Sequence, residues 1–359
     1  MSPGAEQAAM AAALRAAQQG ARGANPLVGA ALLDPDGQIL ALEHHPGAGA
    51  AHAETRVIHA AQQRGADLRT ATLVITLEPC AHHGRTGPCV EAVMAAGIPR
   101  VVIAEEDVTA ARGGVQALRA AGVCVQIGLC REQAHAMNRR WWKAQEEGRP
   151  WVTGKIASSL DGRAAAADGT SQWITGPQAR AHGHRLRARA DAVLVGTGTV
   201  LADDPRLDAR DHQGSPLSSQ PLRAVMGTRP VPEDARVRHG PGFLQLRDRD
   251  PRQALERLCR VGDELGRSVG QVLIEGGPRL LGLFLRCDLL DELYWYTAPT
   301  LLGDGQAAVA ELGIGSLSEA SHWRLDSAGS AADSTQEGLA RLGVDVLHHL
   351  QPAARQNGI

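Results

Sequence analysis

A charged, helix-compatible run from Arg131 to Glu147 stops at Gly148-Arg149-Pro150, and on either side of that break short β-rich runs alternate with helical ones. Glycine and proline interrupt a helix for different reasons: the first loses the most backbone freedom on ordering, and the second has no amide hydrogen to donate. Alternation on both sides predicts two α/β domains in tandem, residues 1–147 and 151–359. The length of 359 residues agrees, because one hydrophobic core seldom organises so long a chain.

Before the break, a helix is expected from about Ala5 to Gly20. Strands follow at Leu27 to Leu33 and Gln38 to Glu43, joined by the turn Asp34-Pro35-Asp36-Gly37. A helix at Ala53 to Arg64, a strand at Thr72 to Leu77 and a helix from about Cys89 to Ala96 come next. Strands at Arg100 to Ala104 and Val123 to Ile127 flank a helix ending near Gly122. After the break, strands are expected at Trp151 to Ala157, Ala192 to Val195, Leu222 to Met226, Gln271 to Ile274, Glu292 to Thr297 and Val344 to Leu350. Helices are expected at Gln178 to Ala190, Arg252 to Val261 and Arg279 to Cys287, with a surface loop at Asp211 to Gln220.

A net charge of -2 supplies no broad positive field, so nucleic acid and anionic membranes are not expected partners. The Ala-rich start carries Glu6 and Arg15, unlike a secretion signal, and no uncharged run is long enough to span a bilayer; a cytoplasmic protein is expected. Six cysteines in such a chain do not make a disulfide scaffold. Cys124, Cys130, Cys259 and Cys287 stand among apolar residues and read as small buried hydrophobes, which leaves Cys80 and Cys89 as a group.

His52-Ala53-Glu54 falls where a loop enters a helix, and Glu78-Pro79-Cys80 ends a strand. Together these are the halves of a zinc-deaminase signature, in which one His and two thiolates hold the metal and the Glu does not. Zinc lowers the pKa of water toward neutrality, and a neighbouring carboxylate can take that proton and pass it to a departing amine. A structural zinc site would normally close with four protein ligands, and three are evident; His82 is an alternative ligand by its proximity to Cys80. Nucleic-acid and nucleoside deaminases favour a Cys-x-x-Cys spacing, whereas eight residues separate Cys80 from Cys89.

The intervening Ala81-His82-His83-Gly84-Arg85-Thr86-Gly87-Pro88, with Asn25-Pro26-Leu27-Val28-Gly29 and His44-His45 upstream, resembles the bifunctional riboflavin-biosynthesis deaminase/reductase family. The resemblance implies an N-terminal cytidine-deaminase-like three-layer domain with zinc on His52, Cys80 and Cys89, and Glu54 as proton shuttle. It also implies substrate contacts from Asn25, His45, His82 and Arg85. Amide and imidazole groups suit a pyrimidine edge, and a guanidinium suits a phosphate. Asp107-Val108-Thr109-Ala110 departs from the family's Asp-Pro-Asn-Pro segment.

In the second half no Gly-x-Gly-x-x-Gly follows a strand. Glu275-Gly276-Gly277-Pro278 does follow an apolar strand and opens a helix, which allows an anion to approach the backbone or is simply a turn. Lys155–Gly162, Ser171–Thr175, Thr199–Pro205 and Glu275–Pro278 resemble, in order, the motifs of the family's reductase half. That resemblance implies a C-terminal dihydrofolate-reductase-like domain using NADPH to reduce a ribosyl group to ribityl. Carried over by position, Ala157, Trp173, Thr199, Asp203, Thr228, Gly277, Pro278, Arg279, Leu280, Leu281, Gly282 and Leu283 are cofactor-side. Ser171, Arg187, Leu207, Arg210 and Glu275 are substrate-side. Arg180, Arg185 and Arg189 read as a solvated helix face, Trp173 alternatively as a core aromatic, and Lys155 as either a general acid or an ion-pair member.

The implied substrate is a small phosphoribosylaminopyrimidine, deaminated and then reduced, and a homo-oligomer is compatible with the chain. Two other readings compete: a zinc-dependent nucleic-acid base deaminase with an accessory domain, and a non-catalytic binding module. Cysteine spacing and charge oppose the first, and the intact metal-and-carboxylate set opposes the second.

Overall fold

The computed structural model describes residues 3–21, 23–82, 87–240, 242–326 and 338–353. The chain divides into two compact units, Met1–Glu147 and Gly148–Ile359.

The first unit runs α1 (Pro3–Ala17), β1 (Gly29–Leu33), β2 (Ile39–His44), α2 (Ala53–Gln63), β3 (Thr72–Ile75), α3 (Cys89–Ala95), β4 (Arg100–Ile103), α4 (Gly114–Ala120), β5 (Cys124–Ile127), α5 (Arg131–Met137) and α6 (Arg139–Glu147). Its sheet has the order β2-β1-β3-β4-β5, with β1 antiparallel to both neighbours and β3, β4 and β5 parallel. Successive strand residues face opposite layers. Leu32, Leu73, Ile75, Val101 and Ile103 pack on α2, α3 and α4, whereas Leu33, Val74 and Val102 pack on α1 and α5. The result is helices on both faces of one sheet. Gly29 allows α1 to lie against β1, since a Cβ there would stand 2.0 Å from the Ala13 carbonyl oxygen.

The expected helix from Arg131 to Glu147 is two helices divided at Asn138, whose φ of -102° and ψ of 14° leave the helical region. The Asn138 side chain is the reason. Its Oδ1 accepts from the Leu27 amide at 2.8 Å and its Nδ2 donates to the Leu27 carbonyl at 2.9 Å, so a tertiary contact outweighs continuation of the helix.

The second unit contains β6 (Trp151–Ser159), β7 (Arg163–Ala165), α7 (Pro177–Arg189), β8 (Ala192–Gly196), α8 (Thr197–Asp203), β9 (Leu222–Met226), β10 (Phe243–Leu246), α9 (Pro251–Glu264), β11 (Gln271–Glu275), α10 (Pro278–Arg286), β12 (Glu292–Ala298), β13 (Gln306–Ala307), β14 (Trp323–Leu325), β15 (Leu339–Leu342) and β16 (Asp345–Pro352). Its large sheet follows β10-β9-β8-β11-β6-β12-β16-β14, with β15 also on β16 and a separate β7–β13 pair. Strands β10 to β12 along that order are parallel, and β16 turns antiparallel. Val152, Leu194, Ala224 and Ile274 pack on α9 and α10, while Val193, Val195, Val225 and Leu273 pack with α7 and α8 on the other face. Each of the fully buried Val, Leu and Ile side chains among these contributes roughly 1.5–3 kcal/mol.

Among the described residues no helix is long and apolar enough to cross a membrane.

Candidate functional site

In the first unit, β3 ends just before the Glu78-Pro79-Cys80 segment, α2 begins directly after His52, and α3 begins at Cys89. His52 is the N-cap of α2, Glu54 is in its first turn, and Cys89 is the first residue of α3. Three separate chain segments therefore deliver their side chains to one end of the sheet. His52 Nδ1 lies 3.2 Å from Cys89 Sγ and 3.7 Å from Cys80 Sγ, and the three donor atoms lie within 4.8 Å of one another. Tetrahedral zinc, with bonds of about 2.0 Å to nitrogen and 2.3 Å to sulfur, requires N···S separations of about 3.5 Å. The donor set and its spacing fit that ion.

The two thiols titrate as a pair. Hydrogen bonds from Cys89 and His52 bring Cys80 down to about 4, while the neighbouring sulfur and burial push Cys89 up. The Cys89 amide also donates to Cys80 Sγ at 3.4 Å. Glu54 is 3% exposed, and burial raises its carboxyl to about 7, against the opposing pull of His52. A carboxyl so tuned can both take and return a proton near neutrality.

Beside the metal group, the His45 ring meets that of His52 edge-on at 5.2 Å. His45 Nδ1 donates to the Ala51 carbonyl at 3.3 Å, which leaves Nε2 to accept from Asn25 Nδ2 at 3.3 Å. Burial lowers the His45 pKa, keeping the imidazole neutral in that role.

Glu78 supports this end of the sheet. Its buried carboxylate accepts from the Asp107, Gly113 and Val115 amides at 2.9, 3.1 and 2.8 Å. Gly114 then lies flush on the cysteine segment, since a Cβ there would be 1.9 Å from the Pro79 carbonyl oxygen. The Asp107-Val108-Thr109-Ala110 loop holds its shape through side chains rather than prolines. Asp107 Oδ1 accepts from the Thr109 amide at 2.7 Å, and Thr109 Oγ1 from the Ala111 amide at 3.1 Å.

In the second unit, the polar groups collect at the carboxyl ends of the parallel strands. Glu275, the last residue of β11, accepts from Arg187 Nε at 2.7 Å and from Nη2 at 2.6 Å. Burial alone would raise the Glu275 carboxyl, but the Arg187 guanidinium and the nearby Lys155 ammonium hold it at about 2. Burial in turn lowers the pKa of Lys155, whose Nζ sits 5.5 Å from the Tyr296 ring centroid. Arg210 pairs with Asp208 at 3.1 Å, and its amide donates to His184 at 3.3 Å. Ser171 Oγ donates to Asp203 at 2.9 Å. Trp173 is 69% exposed with the Arg180 guanidinium 4.8 Å over its ring.

A cavity of about 330 Å³ adjoins these strand ends. Thr228, Arg279, Leu280 and Leu283 line it together with Gly196, Thr197, Gly198, Met226, Gly227, Arg229, Asp248 and Arg249. Thr199 closes on the Gly276-Gly277 turn, with Oγ1 3.0 Å from where a Gly277 Cβ would stand. Glycines with φ of 74° and 78° at this turn, cations and apolar helix residues fit a phosphate-bearing dinucleotide.

Residues 4–105 match the family described as the cytidine and deoxycytidylate deaminase zinc-binding region, and residues 150–333 match the RibD C-terminal domain. The riboflavin biosynthesis protein RibD of Mycobacterium tuberculosis is 44% identical over 305 residues, covering 84% of this chain and 87% of the relative. That of Escherichia coli is 35% identical over 373 residues, covering 95% and 98%. The chain belongs to the RibD family. Among solved structures, Acinetobacter baumannii RibD aligns with a TM-score of 0.84 at 33% identity, covering 98% of this chain and 99% of that one. A diaminohydroxyphosphoribosylaminopyrimidine deaminase/5-amino-6-(5-phosphoribosylamino)uracil reductase of Thermotoga maritima aligns at 0.79 and 29% identity over the same shares. As a RibD-family protein the chain is a bifunctional enzyme of riboflavin biosynthesis. It is a zinc-dependent deaminase and an NADPH-dependent reductase, and its substrates are small molecules of that pathway.

Within this RibD-family fold, His52, Glu54, Cys80, Cys89, His45 and Asn25 come together as the motifs suggested. His82 is exposed and outside the metal group, and Arg85 lies outside the described residues. In the reductase half, Arg187 joins Glu275 at the end of β11 and also donates to the Asp208 carbonyl, Arg210 pairs with the Asp208 carboxylate, Thr199 meets the Gly276-Gly277 turn, Ser171 pairs with Asp203, and Ala157 is on the adjoining β6. Trp173 is exposed, which removes its reading as a core aromatic, and Arg180 is engaged with it rather than merely solvated. Three further expectations, at Leu207, Leu281 and Gly282, come out differently. The side chains of Leu281 and Leu207 are 3% and 2% exposed and belong to the core, so Leu207, with φ of 57°, offers ligands only its backbone. Gly282 abuts the Ala310 carbonyl oxygen, where a Cβ would stand 2.0 Å away. A helix turns only part of any seven-residue run toward one cavity, which is why Arg279, Leu280 and Leu283 reach it and their neighbours do not. The expectation of buried cysteines fails at Cys124, which is exposed and contacts Arg100 Nη1 at 3.4 Å on the edge strand β5, and is met only in part at Cys130, Cys259 and Cys287, which are half-buried against the cores.

Proposed function

We propose that residues 1–147 carry the deaminase and residues 151–359 the reductase, acting in turn on 2,5-diamino-6-(5-phosphoribosylamino)pyrimidin-4(3H)-one and its deaminated product. The observation that carries the reading is the convergence of His52, Cys80 and Cys89 beside the buried, proton-tuned Glu54. When bound, zinc supplies the acidity that makes water a nucleophile near neutral pH, and NADPH supplies the hydride.

His52 Nδ1 and the sulfurs of Cys80 and Cys89 would hold the metal, three protein donors where a structural site would use four. Glu54, buried beside these donors, would take a proton on its carboxylate from the attacking water and pass it to the amino group that leaves as ammonia. Neutral His45 is oriented by Ala51 and holds Asn25, whose Oδ1 and second Nδ2 hydrogen are left to read the pyrimidine edge; a substrate bond to His45 Nε2 would replace the one from Asn25, and His82 and Arg85 are assigned to the phosphate. In the reductase, Arg187 and Arg210 attract the ribose phosphate, while Glu275 and Ser171 accept and donate hydrogen bonds at the sugar chain. Ala157, Trp173, Thr199, Asp203, Thr228, Gly277, Pro278 and the cavity residues of α10 orient the nicotinamide dinucleotide. The near-neutral charge supports action on free ribotides rather than nucleic acid, in the cytoplasm.

Incubating the protein with the diaminopyrimidinone ribotide, with and without NADPH, and weighing the products by mass spectrometry tests this. Exchange of an amino group for oxygen without NADPH, followed by gain of two hydrogens with it, is the expected result. Unchanged ribotide in both reactions, with zinc bound, would overturn it.

A further inference from the structure

We infer that Arg229 and Arg249 receive the 2′-phosphate of NADPH and so set the preference for this cofactor over NADH. The inference rests on the cofactor reading of the cavity above and adds the residues that discriminate between the two dinucleotides.

The strand order β10-β9-β8-β11-β6 lays out a line along one edge of the sheet. The substrate-side group Glu275 and Lys155 is at β11 and β6, Gly196 ends β8, and Gly276-Gly277 follow β11. A dinucleotide with its nicotinamide at Glu275 and its pyrophosphate on those glycines, where the backbone can approach phosphate closely, runs its adenosine end out over β9 and β10. Arg229 follows β9 and Arg249 follows β10, and both line the same cavity. The Arg229 guanidinium lies against Gly198, another cavity residue, with Nη2 3.4 Å from the point that a Gly198 Cβ would occupy.

The charges around the cavity separate these two residues from their neighbours. Arg279 is already paired with Glu311 at 3.2 Å. Asp248 would repel a phosphate and favour a free ribose hydroxyl, but Arg257 holds it at 3.2 Å. Neither Arg229 nor Arg249 has a guanidinium hydrogen bond or ion pair among the described residues. Two uncommitted guanidinium groups beside a compensated carboxylate favour a dianion, and the 2′-phosphate is the only group by which NADPH differs from NADH.

Calorimetric titration of the zinc-loaded, full-length protein with NADPH and with NADH, without substrate, tests the assignment. Arg229→Ala and Arg249→Ala should each weaken NADPH on the order of tenfold, as expected for loss of a charge-assisted contact, and leave the NADH titration within about twofold. The double variant should bind the two dinucleotides alike. Retained NADPH preference in the double variant, or equal weakening of both dinucleotides, would overturn the assignment. Failure of the wild-type protein to bind either dinucleotide would instead overturn the cofactor reading of the cavity. Both arginines are exposed, and an unchanged thermal unfolding midpoint checks that the variants are folded.

Discussion

Arg187 and Glu275 clasp each other through two parallel hydrogen bonds of 2.7 and 2.6 Å, although sequence motifs present them as separate substrate contacts. The pair lies at the end of β11 with side chains 17% and 8% exposed. Glu275 therefore has a structural charge partner within the site, and a substrate hydroxyl or phosphate must share one of the two groups.

Arg187→Ala should cost roughly 3 kcal/mol of stability, because it leaves Glu275 buried without its hydrogen-bonded partner and with only the Lys155 charge nearby. Urea unfolding of the wild type, both single variants and the double variant measures this, and a double variant less damaged than the sum of the singles is expected. The pH dependence has a definite sign. Glu275 is held at about 2 in the folded protein against an ordinary 4.5, so the stability contributed by its ionised form is present above pH 4.5 and is lost as pH falls toward 2. Glu275→Gln should flatten that acid limb; an unchanged slope would contradict the pairing.

Glu78 makes a different prediction, because it touches no expected ligand and yet holds the ground beneath Cys80. Glu78→Ala strips three backbone amides of their acceptor, and the two that are buried, Asp107 and Val115, each cost roughly 1–3 kcal/mol, so at least about 2 kcal/mol should be lost. Zinc should be surrendered to a chelator more readily, and Glu78→Gln, which keeps one accepting oxygen, should fall between. Wild-type zinc retention and unfolding in Glu78→Ala would dismiss the supporting role.

Cys80→Ser and Cys89→Ser should each lower zinc content and ammonia release together, since a neutral hydroxyl is a poor replacement for thiolate. Atomic absorption on the purified variants is the measurement, and full occupancy in both would remove the cysteines from the metal.

The sequence made much of this legible, for physical reasons that differ by residue. Period-two and helical patterning locates most strands and helices, and the His52, Cys80 and Cys89 spacing carries its own chemistry. β10 escapes the pattern because it is a four-residue edge strand. α8 escapes because Thr197, Gly198 and Thr199 are poor helix formers, and packing of Val200 in the core compensates. Arg229, Arg249 and the Glu78 support are joined only by the tertiary fold; their one sequence signal is position at a strand end. The break at Asn138 depends on Leu27, 111 positions away.

The central claim is that one chain carries two separable chemistries, and Glu54→Gln tests it most directly. The zinc-loaded variant is given first the diaminopyrimidinone ribotide, with ammonia measured, and then the deaminated ribotide with NADPH, with oxidation followed by absorbance. An amide cannot accept the proton that the carboxylate takes, so ammonia release should fall by on the order of a hundredfold or more while NADPH oxidation proceeds at the wild-type rate. Near-normal ammonia release, or loss of both activities in a folded protein, would contradict the account.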